Sequence, residues 1–175
     1  VGIRSLKLSS KEKLFLKKYK PWGVILFTRN IRNIEQTSKL TSSIRNIFND
    51  MKYPILIDQE GGRVNRLENI ISFDNLTSEY FGRKFVKNLK EFYIYYKLFI
   101  DKTSYLLKSI GVNINTSPVL DLRIKGASNI IGNRSFSRDH KIVSKIGDYC
   151  IKCFHQNGIG TVMKHIPGHG LAKVD

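Results

Sequence analysis

The sequence predicts an α/β fold, a parallel sheet with helices outside it, and three observations support that reading. Two apolar runs, Trp22 to Phe27 and Tyr53 to Ile57, show no polar alternation, as strands covered on both faces read. Segments with apolar residues at helical spacing separate the strand candidates, so the order is strand, helix, strand, helix, repeated. Each apolar run then ends in a dense polar cluster, and in such folds function gathers at the carboxyl ends of the strands. A closed barrel and an open doubly wound sheet both fit. The doubly wound form usually carries a glycine-rich phosphate turn after its first strand, and Thr28-Arg29-Asn30 is not one.

Taken in order, Val1 to Ser5 is a short first strand. Ser9 with Glu12 three residues on forms a capping box that starts a helix, and Pro21 requires it to have ended. Trp22 to Phe27 is the second strand. Ile34 to Phe48 is an amphipathic helix with Leu40, Ile44, Ile47 and Phe48 on one face. Tyr53 to Ile57 is the third strand, breaking at once into Asp58-Gln59-Glu60-Gly61-Gly62-Arg63. Ser72 to Tyr80 reads as loop and Phe81 to Ile110 as helix in one or two pieces. Val112 to Leu120 is a weaker strand, because of its polar positions and Pro118. After a long loop, Ser137 or Asp139 caps a helix from His140 to Gln156, which Asn157-Gly158 closes. Ile159 to Met163 is the last strand.

At 175 residues the chain is one domain with a substantial core, or part of a larger one, and 41% hydrophobic residues exclude disorder. The balance of 30 basic to 14 acidic residues, a formal charge of +16, raises the question of a nucleic-acid partner. The densest basic stretch, Lys11 to Lys18, is interrupted by Leu14, Phe15 and Leu16. The lysines therefore read as solvated helix faces, and no nucleic-acid partner is expected. A dedicated binder would show steep, salt-dependent retention on DNA. Two cysteines are too few for a disulfide framework and no secretory signal opens the chain, which points to a reducing cytoplasm. Phe92 to Ile100 is too short to span a membrane and contains Lys97, so no membrane insertion is expected.

Reactive side chains concentrate in the last dozen residues, Lys164 to Asp175. Asp58, Arg66, Asp121, Arg134, Lys164 and His165 all fall at predicted strand ends. Asp58, an anion at the end of a buried strand, needs a partner, and Arg63 and Arg66 are near in sequence. For Glu60 a turn-stabilising role and a functional one are equally supported. Arg134, between Gly132 and Phe136, sits in a loop shaped to hold its guanidinium inward. The spacing of His165 and His169 suits a metal on a helix, but Pro167, Gly168 and Gly170 argue against a helix, and no metal or other cofactor is expected. Cys150 and Cys153 lie in mid-helix on an apolar rhythm, where packing explains them better than redox chemistry.

The runs Asp58 to Arg66, Gly132-Asn133-Arg134-Ser135-Phe136 and Lys164-His165-Ile166-Pro167-Gly168-His169-Gly170 together resemble the family 3 glycoside hydrolases, most of all their bacterial cytoplasmic β-N-acetylglucosaminidase branch. Pro118 to Asp121 and Gly23 to Asn30 fit as well, and the motifs run in family order along essentially the whole chain. The resemblance implies a TIM-type (β/α)8 barrel. Residues 1–175 would form the N-terminal part of that single catalytic domain, with about five of the eight strands. It implies a retaining exo-glycosidase that removes terminal β-linked N-acetylglucosamine from peptidoglycan-derived muropeptides during cell-wall recycling, without a cofactor and as a monomer. It assigns Asp58, Arg66, Arg134, Lys164 and His165 to the grip on the non-reducing sugar. Asp175 is the candidate catalytic residue, at the position of the Asp that orients an acid/base His. The Ser and His expected after it, and the nucleophilic Asp, are not among these residues. The alternatives are an inactive sugar-binding remnant and a β-glucosidase-type member of the family.

Overall fold

The computed structural model describes residues 1–126 and 129–172. Ser9 closes the expected capping box: its hydroxyl accepts from the Glu12 amide at 3.2 Å, and the Glu12 carboxylate accepts from the Ser9 amide at 2.8 Å. Helix α1 (Ser10–Tyr19) follows and ends at Lys20, whose φ of 43° is left-handed. Strand β1 is Val24–Leu26. Asn33 then caps α2 (Ile34–Phe48), accepting from the Gln36 amide. Strand β2 is Ile55–Ile57.

The next helical stretch divides into α3 (Ser78–Lys87) and α4 (Leu89–Ser109). It begins before Phe81, correcting the expected loop from Ser72 to Tyr80, because Thr77 caps it by accepting from the Tyr80 amide at 3.0 Å. Asn88 makes the break. Its backbone N–H closes α3 on the Lys84 carbonyl, while its side chain opens α4 by accepting from the Glu91 amide. Strand β3 is Ile114–Asn115, α5 is His140–Gln156 and β4 is Gly160–Thr161. Of the two caps weighed for α5, Asp139 serves, accepting from the Lys141 amide at 2.8 Å.

The four strands form one parallel sheet in the order β1-β2-β3-β4. Neighbours in sequence are neighbours in space, with no reversal at which a doubly wound sheet would bind its ligand. That order belongs to a barrel, and the chain has the α/β architecture of part of one. The expected first strand, Val1 to Ser5, is realised only as a bridge between Gly2 and Ile25, with the Val1 carbonyl accepting from the Ile25 amide at 2.8 Å.

All the strands are shorter than their apolar runs. Around β3 the reason lies in two asparagines. Asn113 Oδ1 accepts from the Ile55 amide, and Asn115 bonds both the amide and the carbonyl of Gln59, so side-chain amides take over ladder positions. The two faces of the sheet are also unequally covered, against the expectation of strands buried on both. Val24, Leu26, Ile55 and Ile57 are fully buried, while Ile25 and Leu56 are half-buried.

Helices α3, α4 and α5 enclose an aromatic layer of Phe81, Phe92, Tyr96, Phe99 and Tyr149. Cys150 and Cys153 are buried beside it and unpaired. Burial pushes the Cys150 thiol up to about 12 and raises Cys153 as well, which suits packing and not thiolate chemistry. Among the described residues no helix is long and apolar enough to cross a membrane.

Candidate active site

The carboxyl ends of the strands bring the predicted residues together. Beyond β2, Asp58 and Glu60 are alternate residues and reach the same group, whereas Gln59 between them turns away and donates to Asn65 Oδ1 at 2.9 Å. The chain then reverses through Gly61 and Gly62, at φ of 89° and 56°. A Cβ on Gly61 would come within 2.3 Å of the Leu76 carbonyl, so the turn that ends this motif admits only glycine.

Lys164, following β4, joins the two carboxylates. Its Nζ lies 2.9 Å from Asp58 Oδ1, 2.7 Å from Glu60 Oε1 and 3.1 Å from Thr116 Oγ1. Thr116, following β3, donates its hydroxyl to Asp58 Oδ1 in a short contact. Arg134 enters from a short 3-10 turn, Gly132–Arg134, and grips Glu60 in bidentate fashion, Nε to Oε2 at 2.8 Å and Nη2 to Oε1 at 2.9 Å. The guanidinium is held inward, as the sequence suggested. Arg66 lies over the Phe27 ring, 5.8 Å from its centroid, with Nη2 4.0 Å from Asp58 Oδ2. Arg63 does not pair with Asp58. It donates instead to the carbonyls of Asn129, Ile130 and Ile131 and so fixes the segment that presents Arg134.

A second cluster adjoins the first. Asp121, whose side chain is fully buried, accepts from His165 Nδ1 at 2.5 Å and from the backbone amides of His165 and His169. Because the carboxylate is an acceptor, it is Nδ1 that carries the proton in this contact. The rings of His165 and His169 are 5.6 Å apart in a non-helical segment, and among the described residues no group of three or more His, Cys, Asp or Glu is placed to hold a metal ion. Asp175 lies outside the described residues.

Burial pushes all three carboxyls up, and in each the bonds and charges of the partners outweigh it. Thr116, Lys164 and Arg66 hold Asp58 below the ordinary value. Arg134 and Lys164 do so for Glu60, and His165 with the His169 amide for Asp121. Arg134 is raised by its hydrogen bonds to Glu60. The site is therefore a set of fixed charges. Their exposed edges, with side-chain exposures of 23% at Asp58, 29% at Arg66 and 33% at His165, can accept from and donate to the hydroxyls of a polar ligand.

Sequence reasoning placed Asp58, Arg66, Arg134, Lys164 and His165 here, and they converge. It left Glu60 and Asp121 out of the grip, although Glu60 binds Arg134 and Lys164 and Asp121 binds His165. The available signal was the position of both at strand ends; Arg134 reaches Glu60 from 74 residues away and His165 reaches Asp121 from 44.

Comparison with known proteins gives a consistent answer. The family model "Glycosyl hydrolase family 3 N terminal domain" matches residues 2–175. A β-hexosaminidase of Hydrogenovibrio crunogenus is 35% identical over 175 residues, covering 100% of this chain and 48% of the relative. β-Hexosaminidase A of Pseudoalteromonas piscicida is 33% identical over 166 residues, 91% of this chain and 27% of the relative. Native NagZ from Neisseria gonorrhoeae superimposes with a TM-score of 0.86 at 31% identity, over 97% of this chain and 48% of that one. The same enzyme in complex with N-trifluoroacetyl-D-glucosamine gives a TM-score of 0.81 at 30% identity, over 97% of this chain and 49% of that one. The chain thus spans about half the length, or less, of the relatives it matches.

Proposed function

The chain belongs to glycosyl hydrolase family 3, and from that premise we propose that the protein carrying it is a retaining exo-β-N-acetylglucosaminidase acting on peptidoglycan-derived muropeptides in the bacterial cytoplasm. Residues 1–175 supply part of a single catalytic barrel. Asp58, Arg66, Arg134, Lys164 and His165 grip the terminal sugar, and Asp175 orients the acid/base His. The intact protein works as a monomer without a cofactor.

One observation carries this reading: five side chains from three separate segments converge on the carboxyl ends of a sequentially ordered parallel sheet. Arg66 Nη2 stands 4.0 Å from Asp58 Oδ2, beyond hydrogen-bond length, so this oxygen keeps capacity to accept from ring hydroxyls. Lys164 stands beside it as a fixed positive charge, and His165, whose Nδ1–H is taken by Asp121, offers its other ring nitrogen. Charge-assisted bonds of this kind fix the pyranose and strengthen as it flattens toward an oxocarbenium-like transition state. The Neisseria relative's complex with an N-acylated glucosamine supports a 2-acylamino sugar as the ligand class.

The test is release of p-nitrophenol by the intact protein from the β-N-acetylglucosaminide and from the plain β-glucoside. The reading expects clear preference for the former. Preference for the glucoside would move the protein to the β-glucosidase side of the family, and inactivity on both would leave a sugar-binding remnant.

A further inference from the structure

We infer that Glu60 is a positioning residue for the sugar site, a single buried carboxylate that sets the places of both Arg134 and Lys164 without touching the substrate. This rests on the glycosidase reading above and adds a residue to its machinery.

The contrast with Asp58, two residues earlier, carries the argument. Asp58 is 23% exposed at its side chain and one of its oxygens is only loosely engaged. Glu60 is 3% exposed, and both its oxygens are taken: Oε2 by Arg134 Nε, Oε1 by Arg134 Nη2 and by Lys164 Nζ. A carboxylate with this pattern has little acceptor capacity left for a hydroxyl, and its burial keeps a ligand from it. The two cations would repel each other if unscreened, and one shared anion removes that repulsion and fixes their separation.

The backbone holds Glu60 as firmly as Glu60 holds the cations. Its amide donates to the Val64 carbonyl at 3.0 Å, and the glycine turn that follows is tied to the Phe73 carbonyl through the Gly62 amide at 2.9 Å. Arg134 reaches it from 74 residues away, and Lys164 from the end of β4. Glu60 is therefore the point at which the loop ahead of α5 and the end of β4 are tied to the end of β2.

The experiment measures kcat, KM and the affinity for free N-acetylglucosamine in the intact protein, together with Tm, for the wild type, Glu60→Gln, Glu60→Asp and Arg134→Met. A displacement of ~1 Å among positioning groups is worth about 100-fold in rate. Glu60→Gln should accordingly lose about 100-fold in kcat/KM, with KM raised and sugar affinity lowered. Glu60→Asp, which keeps the charge, should recover about tenfold of that loss. In the Arg134→Met background, Glu60→Gln should cost only a few-fold more, because one of the two groups it places is already gone. If Glu60→Gln does not fold, Glu60→Asp carries the test through the same rise in KM.

Unchanged KM and sugar affinity with only Tm lowered would overturn the positioning role in favour of a structural one. Losses that multiply independently with Arg134→Met would overturn it in favour of direct substrate contact. A wild type that neither hydrolyses the glycoside nor binds the sugar would overturn the glycosidase reading, and this inference with it.

Discussion

The strand-end cluster, partly open to solvent, and the buried aromatic layer of α3 to α5 are held together by opposite means. In the cluster, Asp58, Glu60, Arg134 and Lys164 are stable only as a set, each charge tolerated because another neutralises it. In the layer, Phe81, Phe92, Tyr96 and Phe99 each contribute surface removed from water and ring contacts with neighbours. Removing one member of the cluster strands its partners; removing one ring leaves a cavity. On the proposed reading the cluster serves specificity, while the layer contributes buried apolar surface to the fold that holds it.

The largest effect is expected where a shared charge is lost. Lys164→Met should abolish measurable turnover in the intact protein, by about 1000-fold or more, and destabilise it by roughly 3–5 kcal/mol, because Asp58 and Glu60 then lose their common partner. Adding Glu60→Gln should restore part of the stability and none of the turnover. Denaturant unfolding with parallel assays checks both; a single variant as stable as the wild type would show that the cluster is not mutually dependent.

Next comes Phe92→Ala in the aromatic layer, with a fully buried ring deleted. The expected cost is about 3–5 kcal/mol of stability, while sugar affinity measured on the folded fraction stays near wild type. Equal losses in both would join the two regions into one unit.

A smaller effect follows from the depressed carboxyls. Asp58, Glu60 and Asp121 bind a proton more weakly when folded than at their ordinary values of 3.8 for Asp and 4.5 for Glu. The stability they contribute is complete above those values and is lost as the pH falls through the depressed folded values. Unfolding free energy measured downward from about pH 4.5 should decline, and less steeply in Glu60→Gln. A decline that begins near neutrality would contradict this origin.

The smallest effect belongs to Cys150 and Cys153. With Cys150 raised to about 12 and both thiols buried, iodoacetamide at pH 8 should label the native protein very little and leave activity unchanged. Labelling should appear on unfolding.

The layer was the more legible region in the sequence, because helical periodicity repeats every three or four residues and reports burial directly. The capping box at Ser9 and Glu12, the helix from Ile34 to Phe48 and the packing role of the cysteines followed from such local signals. The division at Asn88 did not, since an asparagine side chain that closes one helix and opens another leaves the apolar rhythm intact. Strand lengths were overread for a related reason: apolar runs mark burial, while the side chains of Asn113 and Asn115 decide where the ladder stops.

For the cluster, strand-end position and family motifs identified Asp58, Arg66, Arg134, Lys164 and His165 as one group. Who pairs with whom was not legible. Sequence proximity suggested Arg63 and Arg66 for Asp58; Arg66 stands 4.0 Å from it, whereas Arg63 holds the loop of Arg134, and the hydrogen-bonded cation, Lys164, is 106 residues away. Glu60 and Asp121 were undervalued because a carboxylate at a strand end reads alike whether it faces a ligand or a buried cation.

The central claim is that this cluster grips the sugar, and Asp58 is the group on which it turns. The direct measurement is kcat/KM of the intact protein on p-nitrophenyl N-acetyl-β-D-glucosaminide, wild type against Asp58→Ala. The expected result is a loss of about 1000-fold, roughly 4 kcal/mol of transition-state stabilisation, with the variant still folded by circular dichroism. Turnover by the folded variant within a few-fold of wild type would remove Asp58 from the site and contradict the account.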